Sequence, residues 1–265
     1  MSKDMFDIII LGFIQGVAEF LPISSKGHLA IAENLFGVKD PLFVTIMLHA
    51  GTLVAIVAFY YKQLLDLLKP ENFRLVLMIV VGTIPVGVIG VGFKLAHFDD
   101  ILSNLFVAGF GFIVTGFILL YGLRKHEDMK GISEMGWKDV MSIAFMQCAA
   151  IFPGVSRSGT TISTALKLNV KREDAATFSF FLAIPAIGGA GLVESLSKLR
   201  HMDQTFTHDV IIQMIVGFII SAIVGYAALY LLVNTLNKGK FSYYAYYCFI
   251  LGAAVLVWQT ISFFK

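Results

Sequence analysis

Six stretches of the chain, at about 41–61, 75–93, 104–123, 175–193, 210–233 and 241–264, are each apolar over the roughly 20 residues that a helix needs to cross about 30 Å of hydrocarbon. No water reaches the backbone polar groups of such a segment, so they must pair within it, and the fold this dictates is a bundle of membrane-spanning helices. Composition points the same way. Of 265 residues, 57% are hydrophobic and 14% charged, at a mean hydropathy of +0.81, which is too apolar for a domain with a solvated surface.

Two further apolar stretches, 5–21 and 139–152, are shorter and run straight into polar turns: Pro22-Ile23-Ser24-Ser25-Lys26-Gly27-His28 and Pro153-Gly154-Val155-Ser156-Arg157-Ser158-Gly159. We expect each to enter the membrane, turn and return as a re-entrant helix-loop-helix hairpin. The first stretch carries Asp7, Gln15 and Glu19 and has no small-residue cleavage site ahead of a soluble domain, so it reads as part of the mature protein and not as a signal peptide. The expected fold is therefore an all-α polytopic membrane protein of six transmembrane helices plus two hairpins.

A net charge of +2 with no dense Lys/Arg face excludes nucleic acid as a partner. Cys148 and Cys248 lie in apolar sequence without metal or redox spacing and read as small buried hydrophobes. There is no G-x-x-x-x-G-K-[ST] or H-E-x-x-H motif, which argues against ATP-driven transport.

The charged run at 124–138, RKHEDMKGISEMGWK, divides the chain near its middle and reads as a cytoplasmic linker. Lys and Arg favour the cytoplasmic side. Lys62, Lys69 and Arg74, then Arg124, Lys125, Lys130 and Lys138, then Lys167, Lys171 and Arg172, then Lys238 and Lys240 all fall on one side if both short stretches dip and return. The other side receives Lys3, Lys39, Lys94, Lys198, Arg200, Lys265 and both termini.

The two polar turns also align with each other. Phe13, Gln15, Pro22, Ser25 and Lys26 match Phe145, Gln147, Pro153, Ser156 and Arg157 across a one-residue gap, and Thr83-Ile84-Pro85 matches Ala183-Ile184-Pro185 further on, which leaves 41–61 as an additional span in the first half. With the hairpins entering from opposite sides, residues 1–123 and 139–265 read as two inverted repeats of a single membrane domain. Such repeats place their site near the midplane. Gly12 and Gly16, and later Gly188, Gly189 and Gly191, read as packing surfaces.

Irregular backbone at membrane depth is tolerated only around a polar chamber, which two such hairpins can share. Ser24 or Ser25, and Ser156 or Ser158, suit the N-caps of the returning half-helices. Their N-termini attract anions, and Lys26 and Arg157 add full positive charge there. Arg157 costs about 2.5–3.5 kcal/mol at the bilayer centre, so a wet chamber or an anionic partner is expected, and its fork matches phosphate. Gln15 and Glu19, four residues apart, face the same chamber; Glu19 suits a divalent cation carried by a pyrophosphate, or the orientation of a histidine. His28 follows in the first turn, within expected reach of Glu19, as nucleophile or proton carrier. His49, inside a span, reads as structural.

Gln15-Gly-Val-Ala-Glu19-Phe-Leu-Pro22-Ile-Ser-Ser25-Lys-Gly-His28 and Pro153-Gly-Val-Ser156-Arg157-Ser158-Gly159-Thr160-Thr161 resemble the bacterial undecaprenyl-pyrophosphate phosphatase family, associated with bacitracin resistance. The likeness covers essentially the whole chain. It implies a plasma-membrane enzyme, with a site opening to the outer side, that removes the terminal phosphate of undecaprenyl pyrophosphate to recycle the lipid carrier of cell-envelope polymers. Carried over, it implies catalytic roles for Glu19, His28, Ser25 and Arg157. Ser24, Lys26, Gly27, Ser156, Ser158, Gly159, Thr160 and Thr161 would hold the substrate phosphates, with Gln15 and Gln147 in support. The resemblance leaves room for Mg2+ or Ca2+ and for a homodimer. Gln15 stands where the family accepts Glu or Gln, which weakens a two-carboxylate metal site, and Lys26 stands where many members carry Thr. The residues leave a phosphohistidine at His28, a Ser25 activated by His28, and an activated water equally open. The rival from another class is a transporter or flippase of anionic lipids using the same chamber.

Overall fold

The structure is a computed structural model that describes residues 3–37, 42–122, 129–199 and 207–264. The described residues form helices and connecting turns, with one isolated bridge between Lys130 and Val170. In chain order the α-helices are α1 (Lys3–Phe20), α2 (Ser25–Phe36), α3 (Leu42–Phe59), α4 (Tyr61–Asp66), α5 (Phe73–Leu95) and α6 (Asp99–Leu102). They continue as α7 (Leu105–Gly122), α8 (Trp137–Cys148), α9 (Arg157–Lys167), α10 (Arg172–Leu199), α11 (His208–Asn237) and α12 (Ser242–Phe263).

Five of these, α5, α7, α10, α11 and α12, are long and apolar enough to cross a membrane, and the protein is an all-helical, multi-pass membrane protein. The expected span at 41–61 falls on α3, whose described apolar part, Val44–Phe59, is shorter. Both expected polar turns join a helix to a returning helix. Residues 21–24 join α1 to α2, and a single 3-10 turn at Ala149–Ile151 with the loop after it joins α8 to α9.

The helices pack in a reciprocal pattern. α1 and α3 lie against α11, α8 and α10 lie against α5, and α3 with α10 and α7 with α12 close the two halves on each other. Gly16 permits the first of these contacts, because a Cβ there would sit 2.9 Å from the backbone nitrogen of Gly225. Gly189 and Gly191 do not act in this way, since nothing lies within 4 Å of a Cβ built on either; that face of α10 is open.

Of the linker expected at 124–138, residues 124–128 lie outside the described residues. The rest is pinned. Arg74 of α5 donates to the carbonyls of Ser133 and Met135 at 2.8 and 2.6 Å, Lys130 pairs with Asp139 at 2.8 Å, and the Asp174 carboxylate accepts from the Ile132 amide at 3.1 Å. These bonds anchor the start of α8, and with it the second hairpin.

Candidate active site

The two hairpin turns are built by one device. The Ser24 hydroxyl caps α2 by accepting from the Gly27 amide, and the Ser156 hydroxyl caps α9 by accepting from the Gly159 amide at 3.1 Å. Gln15 with Gln147, Ser24 with Ser156 and Gly27 with Gly159 therefore correspond at one constant separation, with no gap. The gap expected above came from aligning Pro22 with Pro153, which occupy different turn positions. In the gapless register Ser25 corresponds to Arg157, each the first residue of its helix.

The caps use the amides of Gly27 and Gly159, and the next amides, of His28 and Thr160, bond to the carbonyls of Ser24 and Ser156. Among the described residues, the amides of Ser25, Lys26, Arg157 and Ser158 remain free for an anion. The two turns touch. A Cβ on Gly27 would lie 2.9 Å from the backbone of Gly154, and the Ser158 hydroxyl donates to the Leu21 carbonyl at 3.3 Å. Gly154 has φ +83°, and a Cβ there would meet the Ala108 carbonyl, so only glycine lets the second turn seat against α7. In the first turn the left-handed residue is Ser24 itself, φ 69°, a strained conformation for a residue with a side chain.

Glu19 is the centre of the cluster. Its Oε1 accepts from Arg157 Nη2 at 2.9 Å, and its Oε2 accepts from Ser25 Oγ at 2.6 Å and from Gln15 Nε2 at 3.1 Å. The carboxylate and guanidinium, 138 residues apart in sequence, have relative side-chain exposures of 6% and 14%. A pair so buried is held by its hydrogen bonds, and removing one partner strands the other. Arg157 also reaches the Ser179 carbonyl at 3.5 Å.

His28 is not beside Glu19. Its Nδ1 lies 2.8 Å from the Ser24 carbonyl, which only accepts, so Nδ1 carries the proton and Nε2 accepts from the Tyr247 hydroxyl at 2.7 Å. Its ring stacks on Tyr247 and meets Phe112 edge-on. The histidine beside Glu19 is His49, on α3, with Nε2 at 3.8 Å from Glu19 Oε2. Sequence reasoning missed Tyr247 and left His49 as structural. The available signal was a polar stripe, Thr45, His49 and Thr52, along one face of an otherwise apolar span.

Other expected phosphate ligands divide. Lys26 is exposed, and among the described residues its side chain makes no hydrogen bond or ion pair, so it does not add its charge to the Glu19 cluster. The hydroxyls of Thr160 and Thr161 both donate to the Arg157 carbonyl at 2.8 Å, and Thr161 also bonds Ser179 at 2.6 Å; they brace the start of α9. Ser156 and Ser158 bond each other at 3.2 Å, and the Ser156 amide donates to Thr115 at 3.0 Å. Gln147 is fully buried with both amide atoms unpaired, and the Oε1 of Gln15 is unpaired too.

The donor set does not fit a protein-built metal site. Glu19 is the one carboxylate at the centre, both its oxygens are engaged, and Arg157 already supplies the positive charge that a divalent ion would bring. Among the described residues no group of three or more His, Cys, Asp or Glu side chains could hold a metal. An ion arriving with a pyrophosphate would be held by the substrate's own oxygens.

A model of the family described as bacitracin resistance protein BacA matches residues 8–254. An undecaprenyl-diphosphatase of Carboxydothermus hydrogenoformans is 39% identical over 259 residues, covering 96% of this chain and 97% of that protein. Undecaprenyl-diphosphatase 4 of a Bacillus cereus strain is 39% identical over 254 residues, 96% of each chain. An undecaprenyl-diphosphatase of Methanosphaera stadtmanae is 36% identical over 277 aligned positions, 96% of this chain and 98% of that one.

Proposed function

The chain belongs to the bacitracin resistance protein BacA family, and from that premise we propose that it is an undecaprenyl-diphosphatase whose reaction is run by Glu19, Ser25 and Arg157. The substrate is a polyprenyl pyrophosphate, of which the enzyme removes the terminal phosphate. The observation that carries this reading is the single carboxylate bonded at once to a hydroxyl and to a buried guanidinium, at the meeting point of two helix N-termini.

The roles follow from the geometry. Phosphoryl transfer needs positioning and positive charge over the equatorial oxygens more than it needs covalent chemistry. The Arg157 fork and the free amides at the starts of α2 and α9 supply that charge, and the isoprenoid tail stays in lipid. Ser25 donates to Glu19 and not to His28, which favours Glu19 as the base for the attacking hydroxyl. Attack on the terminal phosphorus breaks the anhydride bond and leaves the lipid monophosphate. With Ser25 as nucleophile a phosphoserine follows, and water then releases phosphate; with water in the place of its hydroxyl, one step suffices. A phosphohistidine at His28 requires its Nε2 first to give up Tyr247.

The finer topology belongs to the same proposal. Six crossings, with α3 as the sixth, and two oppositely entering hairpins put both termini outside and open the chamber to the outer side of a bacterial plasma membrane. The reciprocal packing supports the inverted repeat. It favours matching α1 and α2 with α8 and α9, α3 with α10, α5 with α11, and α7 with α12, a match in which the additional span, α3, has a counterpart. Pairing by the two Ile-Pro motifs would set α5 against α10 instead.

Inorganic phosphate release by the purified protein from a short-chain polyprenyl pyrophosphate tests the reading. Release that is lost in Glu19→Gln and Arg157→Ala is expected. Movement of the lipid between leaflets without release would replace the enzyme by a transporter.

A further inference from the structure

The ion pair between Glu19 and Arg157 raises a problem that the proposed reaction, on which this inference rests, must solve. Glu19 holds Arg157 through one guanidinium nitrogen, and a carboxylate this buried loses counter-charge when a phosphate competes for that cation. A protonated Glu19 would no longer accept from Ser25. We propose that His49 is the positioning residue that answers this: as an imidazolium it holds Glu19 as a carboxylate, aimed at the attacking hydroxyl, once the substrate has drawn Arg157 away.

Both ring nitrogens of His49 face acceptors. Nδ1 lies 2.8 Å from the Thr45 carbonyl and therefore carries a proton. Nε2 lies 3.8 Å from Glu19 Oε2, where a neutral ring would turn a lone pair toward a carboxylate and a protonated ring turns an N–H. The helix backbone fixes the ring, since the Thr45 bond spans one turn of α3 and the Thr52 hydroxyl donates to the His49 carbonyl at 2.9 Å.

The charged groups that neighbouring elements place toward His49 are Glu19 of α1, Arg157 of α9 behind that carboxylate, and Glu33 of α2, which accepts from the Thr45 hydroxyl. The helices packed on α3 meet it near His49 with uncharged groups: Gly217, Phe218 and Ser221 of α11 against Leu48 and Gly51, and Gly188 of α10 against Leu53. Among the described residues, His49 is the other basic side chain within 4 Å of the Glu19 carboxylate besides Arg157.

Two variants separate this role from a structural one. His49→Gln reaches toward Glu19 but is neutral; His49→Asn keeps a donor for Thr45 and loses that reach. Phosphate release from a polyprenyl pyrophosphate is followed against pH for the wild type and both variants, beside their thermal midpoints. We expect kcat to fall about 10²-fold in each with KM within a few-fold, as for a misplaced catalytic group. We also expect the pH profile of kcat to differ between the wild type and both variants. Wild-type kcat and an unchanged pH profile in either variant would overturn the proposal, as would activity losses that track lost thermal stability alone. If one variant does not fold, the other carries the same test. Absence of phosphate release by the wild type would instead overturn the function itself.

Discussion

The two hairpins share a backbone device and divide the chemistry. Each is a half-helix, a turn, a serine cap on a third-residue glycine amide, and a returning helix. In the first, Glu19 sits one turn after Gln15, and both are bonded. In the second, Ile151 occupies the position of Glu19, and Gln147 is left with no partner. Arg157 then corresponds to Ser25, so the hydroxyl donor and the guanidinium are the same position of two related turns, and both converge on one carboxylate. The two turns share one frame, and the acid and the cation sit at two positions where they differ, Glu19 against Ile151 and Arg157 against Ser25.

The largest effect expected from this division is at the cation. Arg157→Ala should lower kcat/KM by about 10³-fold or more, as loss of an arginine that stabilises a transferring phosphoryl group does; activity near wild type in the purified variant would break the comparison. Next is the seating of the second turn. Gly154→Ala should destabilise by at least about 1–3 kcal/mol, from strain at its positive φ and collision with α7, read as a lower thermal midpoint. The caps should be alike: Ser24→Ala and Ser156→Ala should each cost about 1 kcal/mol of stability, and a clearly unequal pair would mean that the two turns are not equivalent frames. Smallest is Gln147→Leu, expected to be neutral or slightly stabilising, because it removes a buried amide whose hydrogen bonds are unmade. Gln15→Leu, by contrast, should lower kcat, because its amide holds Glu19.

Much of this was legible along the chain. The apolar stretches predicted long helices, and five are seen at their expected places. The two polar turns predicted two hairpins and serine caps, and both are present. Glu19, Ser25 and Arg157 were expected to face one another, and they are hydrogen-bonded together. The one-residue gap was an error of a familiar kind: proline is conspicuous in a turn, but capping geometry, not proline, sets the register.

What the sequence by itself determined is what depends on neighbours along the chain: helical spans from hydropathy, turns from the breaks in them, and serine caps at those turns. What only the tertiary structure decided is which distant side chains come together. His28, close to Glu19 along the chain, turns to Tyr247, while His49, thirty positions on and in another helix, stands beside the carboxylate. The physical reason is that a left-handed residue at Ser24 redirects the chain after the turn, and the packing of α3 against α1 then selects the partner. Local periodicity carries no information about either.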